Sequence, residues 1–144
     1  MGTFNIQSGT WQDLATDAKI VRTAVFIEEQ QIAAQDEWDA EDASAQHFVV
    51  YAENEHARVP IATARLLNNN SIGRVAVLKA YRGQGIGRML MLQLLLHAKN
   101  EQRACLTLSA QCHAVEFYQS LGFQQQGDAY SECGIAHVRM SMPL

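Results

Sequence analysis

The run Arg82-Gly83-Gln84-Gly85-Ile86-Gly87-Arg88 sets glycines at alternate positions between two arginines. Glycine leaves backbone N–H groups uncovered, so several of them can point at one anion. The dense apolar run that begins at Ile86 predicts a helix starting here, and its dipole adds partial positive charge at the same spot. Arg82 and Arg88 supply guanidinium groups suited to charge-assisted hydrogen bonds. The chemistry is recognition of an anion about the size of a diphosphate. Two nucleotide motifs do not fit. A nucleoside-triphosphate loop needs Gly-Lys-Ser/Thr, whereas Gly87 is followed by Arg88 and Met89. A dinucleotide fold needs its third glycine one place later and an acidic residue about 20 positions on, where Thr107 stands. On spacing alone, the remaining alternative is a tight turn shaped by its glycines.

Titratable groups elsewhere offer proton chemistry. Glu28 and Glu29 fall three and four residues after Val25, toward the buried face of a first helix and at its negative end. Burial and the dipole would both raise a carboxylate pKa toward what a general base near neutral pH requires. The competing reading is a frayed helix end with both groups in water. His113 is a candidate proton shuttle or a backbone partner. Residues 31–46 lose the helical period and read as a loop or a short second helix; their acidic run, Asp36, Glu37, Asp39, Glu41 and Asp42, either lines an amine entrance or is solvated, and the solvated reading is expected because charge runs usually face water. Cys105, Cys112 and Cys133 are an odd number without a Cys-x-x-Cys spacing, which argues against a disulfide framework and a zinc site. No metal is expected.

These residues need a frame, and 144 residues with 48% hydrophobic content suit a single domain, 1–144, with a real core. A formal charge of -4 does not favour a sequence-independent grip on nucleic acid. The start lacks a basic and apolar leader, and the longest apolar stretch is broken by Gln93, so no membrane span is expected and the cytoplasm is the expected compartment. Trp11, Leu14, Ala18, Val21 and Val25 recur at helical spacing and predict a helix to about Gln30. Residues 47–53, 59–67 and 72–78 read as strands joined by short turns, an antiparallel meander. A helix over residues 85–100, a strand over 104–108, a helix over 111–121 stopped by Gly122, and strands over 123–127 and 135–142 follow. The expected fold is mixed α/β, with one mostly antiparallel sheet of about seven strands flanked by helices.

Arg82-x-x-Gly85-x-Gly87, preceded by Val75-Ala76-Val77 and followed by a long apolar helix, resembles the acetyl-coenzyme A motif of the Gcn5-related N-acetyltransferase (GNAT) superfamily. Phe117-Tyr118-Gln119-Ser120-Leu121-Gly122-Phe123 resembles the second hallmark of that superfamily, at the expected distance. The resemblance spans nearly the whole chain. It implies acetyl transfer from acetyl-CoA to a primary amine of a small molecule by direct attack, without a metal. It implies that the backbone of Val75, Ala76 and Val77 pairs with the pantetheine arm and polarises the thioester, that Arg82 through Arg88 hold the pyrophosphate, and that Tyr118 is the general acid. From the residues alone, Tyr118 reads as a core tyrosine on a stripe with Val115 and Leu121. Many members of the superfamily carry an asparagine seven residues before the tyrosine; here it is Gln111, whose amide offers the same donor and acceptor on a longer stem.

A narrower likeness joins Val25-Phe26-Ile27-Glu28-Glu29-Gln30, the Glu37-x-Asp39-x-x-Asp42 run, His47 and Ala110-Gln111-Cys112-His113 to the ElaA/YjcF-like branch. It favours Glu29 as the base, with Glu28, His113 and water as alternatives. A coenzyme A binding module without turnover and a protein N-terminal acetyltransferase remain the competing functions. The resemblance also implies that an edge strand near the C-terminus pairs two copies into a homodimer.

Overall fold

Leu14, Ala18 and Val21 put one flank of the first helix into the core, and the computed structural model, which describes residues 3–144, has α1 at Trp11–Arg22. Thr10 caps it, accepting from the Asp13 backbone N–H at 3.3 Å. The helix runs on through Thr23–Glu29 as a wider π turn, closed by Gln30 N–H donating to the Val25 carbonyl at 3.0 Å. The expected length is found. The widening sets the side chains of Glu28, Glu29 and Gln30 differently from an α-helical register.

Seven strands form one sheet: β1 (Thr3–Gly9), β2 (Gln46–Glu53), β3 (Arg58–Leu66), β4 (Ser71–Val77), β5 (Cys105–Gln111), β6 (Gln124–Glu132) and β7 (Ile135–Pro143). Their order is β1-β2-β3-β4-β5-β7-β6, with every neighbouring pair antiparallel except β4 and β5. Six of them fall on the expected segments. The seventh, β1, carries little strand signal in the sequence, because most of its residues are exposed and the strand shows little of a buried face. β6 is longer than expected and lies at the sheet's outer edge with every residue exposed.

The helix after the glycines, α3 (Ile86–Asn100), lies against one face of the sheet. Leu90, Met91, Leu94 and Ala98 are fully enclosed there with Phe48, Val50, Ala64 and Leu106. Each such large aliphatic side chain contributes about 1.5–3 kcal/mol by leaving water. On the opposite face, α1 covers Val49 and Tyr51, and Val21 and Val25 cover Ala76.

Two expectations need correction. The segment 111–121 is not one helix: β5 continues to Gln111, a tight turn covers Cys112–Ala114, and only α4 (Val115–Ser120) is α-helical. The acidic segment takes the short-helix alternative and is not simply solvated. It forms a short helix, α2 (Ala34–Glu37), and a 3₁₀ turn at Ala40–Ser44, with Glu37 and Asp42 buried.

Candidate active site

The site begins where the sheet comes apart. β4 and β5 share only two rungs, Ser71 with Thr107 and Ile72 with Leu108, and then diverge. From there to Val77 on one strand and to Gln111 on the other, backbone that faces the gap lacks a strand partner. The gap is the inner part of a cleft of about 1320 Å³ lined by Val75, Ala76, Val77, Arg82, Gly83, Gly85, Ile86, Gly87, Arg88, Gln111, Phe117 and Tyr118. Nearly every residue singled out in the sequence meets there. Among the candidates for cofactor or base, Gln84 and Glu28 are exceptions: both are exposed and neither lines the cleft, and Asp39, Asp42 and His47 also lie outside it.

The glycine turn has the form an anion cradle needs. Gly83 and Gly85 both stand at φ +80°, and a Cβ on either would project into open space rather than into protein. Gly87 lies against Phe117, where a Cβ would sit 3.5 Å from the ring. Gly85 precedes α3, so the first-turn N–H groups that lack a partner within the helix belong to residues that line the cleft. The Ile86 and Ala76 side chains are buried in the core, which leaves only their backbone for a ligand.

Two consecutive residues at the end of the π turn already hold groups on the cleft wall. Arg82 takes Glu29 in a two-pronged pair, Nη1 to Oε2 and Nη2 to Oε1, each at 2.7 Å. Gln30 and Gln111 exchange amide hydrogen bonds of 3.2 and 2.9 Å across the gap. Gln111 thus lines the cleft with its amide engaged by Gln30. The expectation that burial raises the Glu29 pKa is overturned: both Glu28 and Glu29 are exposed, and the hydrogen bonds from Arg82 hold the Glu29 carboxyl below its usual range. His113 is exposed on the cleft rim.

Tyr118 is 8% exposed and stands on the cleft wall, its ring edge-on to Phe117 and Phe123. Burial pushes its phenol up to about 12, above the value near 10 of a free tyrosine. The hydroxyl therefore keeps its proton throughout the working range. It suits hydrogen-bond donation to a developing anion better than an early, complete proton transfer.

Behind β4 lies a group of charges that the sequence reading missed. Arg22 donates from Nε to Glu37 at 2.7 Å and from Nη1 to Asp42 at 2.8 Å. Arg65 grips Asp39 at 2.7 and 2.9 Å and also reaches Asp42 at 2.9 Å. The Arg22 guanidinium lies over the rings of Trp11 and Trp38. His47, also buried, bonds the Asp42 carbonyl through Nε2 at 2.9 Å. The signal was available: Arg22 continues the spacing of Leu14 and Ala18, so helical periodicity alone puts a guanidinium in the interior, where it demands carboxylates.

A mixed sheet split between β4 and β5, with a glycine-rich turn leading into a helix at the split, defines an acyl-CoA N-acyltransferase type of fold. A family model described as an acetyltransferase (GNAT) domain matches residues 14–144, and the chain belongs to that family of acyltransferases. YyaT of Bacillus subtilis is 34% identical over 97% of this chain and 96% of its own. ElaA of Escherichia coli is 33% identical over 91% of this chain and 94% of its own. Among solved structures, an acyl-CoA N-acyltransferase from Pseudomonas aeruginosa superimposes with a TM-score of 0.82 at 29% identity, covering 97% of this chain and 99% of that one.

Proposed function

We propose that the chain transfers the acetyl group of acetyl-CoA to a primary amine of a small molecule, by direct attack within the split between β4 and β5. The observation that carries this reading is the convergence of the open glycine turn, the unpaired β4 backbone and Tyr118 on one cleft. Acetyl-CoA would supply the acetyl group as an activated thioester.

Each protein group then has a task. Backbone N–H groups of the turn from Gly83 to Gly87, with Arg82 and Arg88, bind the pyrophosphate. The β4 backbone over Val75–Val77 aligns the pantetheine arm, and a peptide N–H there donates to the thioester oxygen as negative charge develops on it. The amine nitrogen attacks the carbonyl carbon, the carbon–sulfur bond breaks, and the Tyr118 hydroxyl donates to the departing sulfur. The proton lost by the amine passes to a carboxylate or water at the cleft rim. Glu29 serves in that role once Arg82 turns to phosphate and releases it.

Calorimetry with acetyl-CoA tests the first half. Binding is expected, and it should weaken strongly when Gly85 is replaced by valine, whose side chain projects into the open space and resists φ +80°. Absent binding, or binding indifferent to Gly85→Val, would sink the reading. A thiol-release screen of amines, polyamines, amino sugars and peptide N-termini tests the second half. A blank screen from a protein that binds acetyl-CoA would favour the binding module, and a response confined to peptides would favour a protein N-terminal acetyltransferase.

A further inference from the structure

Arg74 stands at φ +52° in the middle of β4. Side-chain-bearing residues avoid that conformation, yet the neighbouring glycine, Gly73, is not the residue that adopts it. The ladder shows what the conformation accomplishes. Thr63 faces Ala76 and Arg65 faces Gly73, so Ala64 alone stands opposite both Arg74 and Val75. The extra residue is a bulge. It falls just after β4 parts from β5 and just before Val75-Ala76-Val77, so it sets how those peptide groups are presented to the cleft.

The Arg74 side chain is anchored. Its Nη2 donates to the Glu37 carbonyl at 2.8 Å and to Asp39 Oδ2 at 3.3 Å, and its Nε forms an ion pair with Glu37 Oε2 at 3.1 Å without a hydrogen bond. Those carboxylates are themselves held, Glu37 by Arg22 of α1 and Asp39 by Arg65 of β3. A chain of charge-assisted bonds therefore runs from the helix and strand beside β4, through the acidic segment, to the one residue of β4 in the left-handed region.

We propose that Arg74 is a positioning residue for acyl transfer: anchored through Glu37 and Asp39, it holds the bulge that aims a peptide N–H of Val75–Val77 at the thioester oxygen. This rests on the acetyl-CoA reading above. A side chain that merely stabilised the fold would leave the polarisation of a bound thioester unchanged.

The test is Arg74→Gly, because glycine adopts φ +52° freely and the substitution removes the anchor without adding strain. Infrared difference spectra of acetyl-CoA carrying a ¹³C carbonyl read the polarisation directly, without an acceptor. In the wild-type complex the carbonyl band is expected below its position in water. In Arg74→Gly it should return toward that position, with acetyl-CoA affinity by calorimetry changed less than about threefold. Turnover with an amine found in the screen should fall about tenfold to a hundredfold, as for a reacting group misplaced by a fraction of an ångström. Arg74→Lys keeps the charge but not the fork, so it should recover part of both effects. An unshifted band in Arg74→Gly, or turnover within about threefold of wild type, overturns the assignment. Should Arg74→Gly not fold, Arg74→Lys decides: an intermediate band supports it and a wild-type band overturns it. Wild-type protein that fails to bind acetyl-CoA overturns the acetyl-CoA reading and this one together, whereas normal binding and turnover with unresponsive Arg74 variants overturns this one alone.

Discussion

Arg82 meets Glu29 edge to edge, with both terminal nitrogens at 2.7 Å from the two carboxylate oxygens and with Nε donating to the Val77 carbonyl at 2.9 Å. A phosphate would use the same guanidinium edge. On the proposed reading, Glu29 occupies in the free protein the place of the ligand's charge, and binding exchanges one anion for another. Exposed pairs of this kind contribute at most about 1 kcal/mol, so the exchange is easy. Glu29→Gln removes the competitor and is expected to tighten acetyl-CoA binding by up to about fivefold, the equivalent of that energy. Calorimetry on the two proteins measures it. An unchanged affinity would mean that Arg82 stays with Glu29 and the phosphate binds elsewhere.

Tyr118 should separate chemistry from packing. Its hydroxyl can be deleted without emptying the ring's place beside Phe117 and Phe123. Tyr118→Phe is expected to lower kcat by about a hundredfold or more, the usual scale for a positioned acid, while the urea midpoint moves little. Because burial holds the phenol up to about 12, the wild-type rate should show no loss from its ionisation between pH 7 and about 10. A Phe variant with full turnover would make Tyr118 a core residue only.

The buried charges beneath β4 should matter more for stability than any surface pair. Arg22 is 1% exposed and serves Glu37 and Asp42 together. Arg22→Ala leaves two carboxylates in the interior without their principal donor, a change expected to cost about 3–5 kcal/mol. Urea unfolding gives the value directly. A loss below about 1 kcal/mol would show that water takes over the arginine's role.

The pH dependence of folding has a definite sign. Hydrogen bonds from Arg65 lower the Asp39 carboxyl from 3.8 to about 2, so the folded form binds the proton less readily than the unfolded chain. The stability this confers is complete above about 3.8 and disappears as pH falls toward about 2. Burial likewise lowers the His47 imidazole below its usual 6.5, so that its contribution fades as pH drops below that value. Urea midpoints should therefore decline in two stages, one below about pH 6.5 and one below about 3.8. Asp39→Asn is expected to flatten the second stage, and an unaltered acid limb in that variant would remove Asp39 as its source.

How far the sequence could be read depended on the range of the interaction concerned. The glycine turn, α3 and the β2–β4 meander are local: a few residues carry the turn chemistry or the apolar period, and all were legible. β1 was not, because an edge strand with little buried surface announces itself only through its partner, β2. The acidic segment was misread for a related reason. Charge runs do face water unless cations are waiting, and here Arg22, Arg65 and Arg74 arrive from three separate elements. The bulge left a local trace in Gly73, a glycine inside a strand, but nothing local says that the next residue takes the unusual conformation. Glu29 stands on the cleft wall, exposed and not on the buried face, and its acidity was not legible, since its partner lies 53 residues away.

The parting of β4 from β5 after two rungs has a thermodynamic side. Each peptide group along the split that lacks a strand partner forgoes a hydrogen bond worth about 1 kcal/mol to folding. A ligand whose own amides enter the split restores those bonds and binds only the folded chain. Saturating acetyl-CoA should then raise the melting temperature by mass action, about 2.7 kcal/mol of added stability at a hundred times Kd. The free protein is in that sense an unfinished sheet, and its missing strand is small enough to diffuse in.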